Sequence, residues 1–222
     1  MTSPDVRVFS VDLDQPADVV GRLDALLPAG ERDAPAPVRV ARAMLRVVLA
    51  ESLGKDPADV AISRKCAHCG HATHGRPAVA GDDGISFSLS HSGSFALVAL
   101  ADGNARVGVD VEEVRPRARL EALAARVLDP EEHAAWAAVD AADERLRSFL
   151  RAWTAKEAYL KALGVGIATR LRDVPARVDG WTTCELYPGR GRVAALAVDR
   201  AEVGVEHLSV SPLAMSNGGT GG

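Results

Sequence analysis

The chain has 222 residues, 47% hydrophobic and 25% charged, which is enough apolar material for one large globular domain or two small ones. Its net charge of -4 argues against a general nucleic-acid binder, which carries a broad basic surplus. The longest apolar run, Ala96-Leu97-Val98-Ala99-Leu100-Ala101, falls far short of the roughly eighteen residues a membrane-spanning helix needs. The start, Met1-Thr2-Ser3-Pro4-Asp5, lacks the basic run and apolar centre of a signal peptide, so the expected compartment is the cytoplasm. An odd cysteine count, with Cys66 and Cys69 close together and Cys184 remote, does not read as an oxidised framework. Of the 26 lysines and arginines only four are lysines, and two of those, Lys156 and Lys161, share one short segment.

In chain order, residues 6–11 read as a strand and 16–27 as a helix. Residues 38–53 place Val40, Met44, Val47, Val48 and Leu53 at helical spacing before Gly54, a good C-terminal stop. After Lys55-Asp56-Pro57 come residues 60–63 and then an irregular Cys/His/Gly-rich loop, 64–84. Ile85, Phe87 and Leu89 alternate with Ser86, Ser88 and Ser90, the period-two signature of a half-buried strand. Turns at 92–94 and 102–104 then link strands 95–101 and 106–111, so an antiparallel meander is expected. Residues 118–127 and 130–138 read as helices, and 144–163 as a long helix stopped by Gly164. Short strands follow at 176–187, 192–199 and 203–210, and residues 214–222 read as a small, polar, disordered tail.

Two patterns carry chemistry. In Arg106-Val107-Gly108-Val109-Asp110-Val111-Glu112, strand alternation sends the three valines to one face and Gly108, Asp110 and Glu112 to the other. Acidic residues often decorate a solvent face, but two neighbouring carboxylates repel, and all-oxygen ligation of a hard cation such as Mg2+ or Mn2+ would stabilise them. In the long helix, Trp153, Glu157 and Lys161 are four residues apart and share a face, with Lys156 adjoining. A surface Glu-to-Lys pair has the same spacing, yet Trp153 on the stripe argues for partial burial, where charges need partners.

The ordered pair of motifs, Gly108-Val109-Asp110-Val111-Glu112 and then Trp153-Thr154-Ala155-Lys156-Glu157-Ala158-Tyr159-Leu160-Lys161, resembles the signature of 4'-phosphopantetheinyl transferases of the surfactin-synthetase-activating (Sfp) type. Phe87-Ser88-Leu89-Ser90-His91-Ser92 and the turn Gly75-Arg76-Pro77 are similar to two further motifs of that family, so the resemblance covers roughly residues 38–175. The resemblance implies an α+β fold, a pseudodimer of two similar subdomains with coenzyme A between them: residues 1–106, and 107–213 carrying the magnesium and catalytic motifs. It implies transfer of the phosphopantetheine arm of coenzyme A to a carrier-protein serine, with Mg2+ (Mn2+ as a substitute) on Asp110, Glu112 and Glu157. Asp110, Lys156 and Lys161 would meet the coenzyme, and Ser90, His91, Gly75, Arg76 and Pro77, with Arg42 and Arg64, its 3'-phosphate side. Arg39 or Arg46 could stand in for Arg42.

Glu157 is expected to serve as general base, metal ligand or both, with Lys161 as its catalytic companion. The partners implied are coenzyme A and acidic acyl, peptidyl or aryl carrier proteins, for a monomer that binds neither nucleic acid nor membrane. The segment after Glu112, with Arg115, Arg117, Arg119 and Arg126 beside Leu120, Leu123 and Leu128, is the expected carrier dock. Two other readings compete: a catalytically silent coenzyme A-binding regulator, and a zinc module built on Cys66, His68, Cys69, His71 and His74.

Overall fold

A computed structural model describes residues 5–64, 75–81, 84–102, 105–165 and 169–215. The mixed α+β chain divides into two compact units, Met1–Asn104 with Gly204–Gly222, and Ala105–Val203. None of the described helices is long and apolar enough to cross a membrane.

The first unit is built on a four-stranded sheet. β1 (Val6–Asp12) pairs antiparallel with β5 (Phe95–Asp102) and parallel with β9 (Val205–Ser209), while β4 (Ile85–Ser92) pairs antiparallel with β5, giving the order β4-β5-β1-β9. Two helices, α1 (Ala17–Leu23) and α2 (Ala36–Leu53), join its core. Pro35 and Pro37 start α2, where a missing amide proton costs nothing, and Gly54 ends it in the left-handed region at φ 62°. Its apolar face packs Val40, Met44, Val48 and Leu49 with Phe9, Val11 and Phe87. Short strands β2 (Ile62–Ser63) and β3 (Ala78–Val79) form a separate antiparallel pair.

The second unit is a three-stranded antiparallel sheet, order β6-β8-β7, from β6 (Val107–Glu113), β7 (Thr182–Leu186) and β8 (Arg192–Val198). Helices α3 (Leu120–Val127), α4 (Pro130–Ala137) and α5 (Ala142–Leu163) accompany it, and a four-residue helix α6 (Pro212–Met215) closes the described chain in the first unit. α5 has 22 residues, a rod of about 33 Å at 1.5 Å per residue. It lies against β6 and β8 along a seam of small side chains, with Ala158 packed on Ala195 and Ala197. Gly108 pairs with Ala197 and Asp110 with Ala195, so the strand faces the helix with almost no side chain at that point. A Cβ placed on Gly108 would sit 1.9 Å from the Ala158 carbonyl oxygen and 2.6 Å from the Ala162 amide nitrogen.

Several expectations need correction. The meander stops after β5: β6 joins β8 in the second sheet, because the free side of β5 is taken by β1. The loop 64–84 includes β3, paired with residues just before it. The second half does not run to 213, since β9 returns to pair with β1, and the tail does not begin at 214, since Met215 is fully buried in the first core. The helix at 16–27 ends at Leu23 and tightens into a 3-10 turn, Asp24–Leu26. Of the strand expected at 176–187 only Thr182–Leu186 forms. Ser216 to Gly222 lie outside the described residues.

Gly108→Ala should lower stability by an amount at or above the roughly 1–3 kcal/mol typical of overpacking, because both obstructing atoms are backbone and cannot rotate away. Urea unfolding measures it; a change within a few tenths of a kcal/mol would show that α5 yields without cost.

Candidate active site

Three elements of the second unit assemble the acidic cluster. β6 presents Asp110 and Glu112, with Asp110 buried at 5% exposure and Glu112 at the partly open end of the strand. α5 carries Glu157 and Lys161, one turn apart. The Lys161 ammonium donates to Asp110 Oδ1 at 2.6 Å, which ties helix to strand beside the Gly108 contact. Arg117, in the segment leaving β6, donates to Glu112 Oε2 at 2.6 Å. Trp153, one turn before Glu157, is half-buried and packs on Phe149 with ring centroids 5.8 Å apart.

Burial holds the Glu157 carboxyl above the usual glutamate range; the Asp110 carboxylate pushes the same way, Lys161 opposes, and Glu112 adds to the rise. The three acids therefore sense one another electrostatically. Among the described residues no group of three His, Cys, Asp or Glu side chains stands as a ready metal cage. Lys161 and Arg117 instead occupy positions at the carboxylates where a divalent ion would supply charge. The donor set nevertheless suits a hard cation, being all carboxylate oxygen with a mutual repulsion that such an ion relieves.

Lys156 stands apart from this cluster. Its side chain is buried at 3% exposure, donating to Glu132 Oε2 at 2.6 Å and to the Val127 carbonyl oxygen at 3.0 Å. Glu132 also accepts from the Asp129 amide, while Asp129 Oδ1 accepts from the Glu131 and Glu132 amides, a capping box that starts α4 at Pro130. The structure places Lys156 away from the other expected coenzyme contacts: one residue of helix turns it about 100° from Glu157, onto the α3–α4 junction. The Asp129-Pro130-Glu131-Glu132 run was a visible N-terminal signature, but nothing local announces a lysine 24 residues later as its partner.

In the first unit, Arg76 is pinned to β4, donating to Ser86 Oγ at 2.8 Å and the Phe87 carbonyl at 3.2 Å. Ser90 is buried on the same strand and His91 is exposed beside it. Gly75 donates to the Arg64 carbonyl at 2.7 Å, which brings Arg64, Gly75, Arg76 and Pro77 together at the mouth of the loop. Along α2, Arg39 grips both Asp24 oxygens and the buried Arg46 forms a forked pair with Glu31 at 2.9 Å. Arg42 is the loosest of the three, 3.8 Å from Glu31. Cys66, His68, Cys69, His71 and His74 lie outside the described residues. Cys184 is a free, partly exposed thiol, and burial raises its pKa.

Two expected outcomes follow from these contacts. The folded chain holds the Glu157 proton to a pH at which the unfolded chain, near 4.3, has already released it. Stability therefore falls as pH climbs from that value through the raised one. In metal-free buffer the melting temperature of E157Q should gain on that of the parent chain across this window, and millimolar Mg2+ should shrink the gap; a pH-independent gap would contradict the electrostatic account. Separately, K156M should cost about 3–5 kcal/mol in denaturant unfolding by leaving Glu132 without its cation, and K156M/E132Q should recover part of it. Equal losses in the single and double variants would show that packing alone is involved.

Comparison with known proteins fits this geometry. A family model described as the 4'-phosphopantetheinyl transferase superfamily matches residues 106–204, which contain the whole acidic cluster. The 4'-phosphopantetheinyl transferase HetI of a Nostoc species is 32% identical, over 89% of this chain and 89% of its own length. The 4'-phosphopantetheinyl transferase AcpT of Escherichia coli K12 is 42% identical over 42% of this chain and 47% of its own. That of Bacillus pumilus, psf-1, is 34% identical over 51% and 47%. Because the likeness to HetI runs through nearly the whole sequence, the chain belongs to the 4'-phosphopantetheinyl transferase superfamily and is a transferase.

Proposed function

We propose that the chain moves the 4'-phosphopantetheine arm of coenzyme A onto a serine of an acyl, peptidyl or aryl carrier protein, releasing 3',5'-ADP, in a Mg2+-dependent reaction. The observation that carries this reading is the placement of Asp110 and Glu112 on β6 against Glu157 and Lys161 on α5, tied by the Lys161–Asp110 ion pair, in a chain of the transferase superfamily. Glu157, whose proton affinity is raised by burial and by its acidic neighbours in the metal-free chain, is the candidate base. Asp110, Glu112 and Glu157 would hold the ion, which supplies positive charge to the coenzyme pyrophosphate and to the departing nucleotide.

The chain's own groups do the rest. Glu157 takes the serine hydroxyl proton as the serine oxygen attacks the phosphorus that bears pantetheine; the phosphorus–oxygen bond to 3',5'-ADP breaks, and the electron pair leaves with the nucleotide. Lys161, which donates to Asp110, would turn toward a phosphate held by an ion on the same carboxylates. Arg42 is the α2 arginine with the weakest internal commitment, which favours it over Arg39 and Arg46 as the 3'-phosphate contact. Arg64, Arg76, Ser90 and His91 would complete that contact, with Gly75 and Pro77 shaping the turn. Lys156 is left out of coenzyme binding and holds the base of the catalytic helix. Arg117 is a partner of Glu112 before it is a carrier contact, so reversing its charge would disturb both.

Several apo carrier proteins incubated with the enzyme, coenzyme A and Mg2+ should show a phosphopantetheine adduct by mass spectrometry. E157Q should turn over about 10²–10⁴-fold more slowly. Coenzyme A binding with no adduct on any carrier would identify a silent regulator instead.

A further inference from the structure

The second unit has a concavity that the acidic cluster does not use. It is a groove of about 560 Å³ between the first half of α5 and the β7–β8 hairpin. Arg147 and Arg151 enter it from the helix, and Glu185, Tyr187, Arg190 and Arg192 from the hairpin. With Arg151 held by Glu144 and Glu185, the cations that face the groove from its two walls are Arg147 and Arg190, a local basic character on a chain whose net charge is -4. Arg147 and Arg151 lie one turn apart on a common face. Glu157 follows Arg151 by six residues, about 9 Å along the axis and on a different face, so the groove is separate from the catalytic carboxylates.

The groove is built rather than incidental. Arg151 donates to Glu144 at 2.6 Å and to Glu185 at 3.2 Å, fixing the helix wall to the strand wall. Gly189 and Gly191, in the β7–β8 turn that lines the groove, adopt φ of 94° and 79°, values that favour glycine. The tip is tied down by the Val114 amide, which donates to the Gly191 carbonyl at 2.8 Å. Tyr187 also lines it, 85% exposed, the most open large hydrophobic among the described residues. Arginine and tyrosine are the side chains that most often anchor protein interfaces.

We propose that this groove binds an acidic, amphipathic segment of a protein partner: its carboxylates on Arg147 and Arg190, and an apolar side chain against Tyr187. An open trough with cations on two walls fits an elongated acidic segment better than a single small anion. One aromatic offers no run of stacking platforms for nucleic-acid bases. The position adds to the argument, because Val193 and Arg192 pair across the sheet with Glu112 and Glu113. The groove opens beside the strand end that carries Glu112. Identification of the segment with part of the carrier protein rests on the proposed transferase reaction; binding of an acidic segment does not.

The test uses fluorescence anisotropy of a labelled synthetic helical peptide, with glutamates on one face and leucines on the other, titrated with the full chain. No coenzyme or turnover is involved, so an inactive enzyme leaves the test standing. R147E/R190E should weaken binding at least about tenfold and Y187A severalfold, with each variant's melting temperature measured alongside so that loss of fold is told apart from loss of the groove. Affinity should fall steadily with salt. Equal affinity of R147E/R190E and the parent chain would overturn the proposal, as would tighter binding of an oligonucleotide of equal charge or displacement of the peptide by millimolar inorganic phosphate. With any carrier the enzyme modifies, R147E/R190E should raise the carrier KM about tenfold and leave the coenzyme A KM unchanged; the reverse pattern would place the groove on the coenzyme side.

Discussion

Backbone meets backbone where α5 crosses β6, and the candidate site depends on that contact. With no Cβ at Gly108, the Ala158 and Ala162 backbone comes closer to the strand than any side chain would permit. Ala195 and Ala197 on β8 and Ala158 on the helix extend the same seam. Small residues cannot stabilise much by burial, at about 25 cal/mol per Å² of apolar surface. Their value lies in distance: they bring Lys161 of the helix within 2.6 Å of Asp110 on the strand. Larger side chains at these positions would move the two motifs apart.

That proximity creates an electrostatic problem which the fold solves unevenly. Asp110 and Glu112 each have a cation at hydrogen-bond distance, Lys161 and Arg117. Burial raises the proton affinity of Glu157; Asp110 and Glu112 add to the rise, and Lys161 offsets it only in part. An interior carboxylate left in this condition destabilises the folded state above its pKa. Perturbed carboxyls of this kind cluster at functional sites, and the burial that costs stability here is what singles out Glu157 as the candidate base of the proposed reaction.

Much of the fold was legible because local patterns specify element type. The alternation from Ile85 to Ser92 and the glycine stops after α2 and α5 mark elements that form almost as read. Pairing was less legible, since a strand pattern does not name its neighbour: β6 left the meander for β8, and β9 crossed back to β1. Alternation also misled about depth, because Ser88 and Ser90 are buried rather than outward. In the site, the order of the two motifs pointed to Asp110, Glu112, Glu157 and Lys161. The pairing of Arg117 with Glu112, and Glu132 altogether, escaped notice because these partnerships join a loop to a strand and a cap to a distant helix, where no period applies.

The two lysines that drew attention by their scarcity have opposite fates, and helical geometry explains why. Lys161 follows Glu157 by four residues, so it shares that face and reaches Asp110. Lys156 precedes Glu157 by one, so it points about 100° away, where Glu132 and the Val127 carbonyl take up its charge. Burying an ammonium is costly unless its partners are well placed, and here the partners are themselves fixed by the capping box of α4. Adjacent residues of one motif thus perform separable tasks: Lys161 sets the charge around the carboxylates, while Lys156 anchors the helix that delivers Glu157 to them. A motif read as a single functional unit conceals this division, because residue type and spacing identify which side chains are charged but only the packed helix decides which way each one faces.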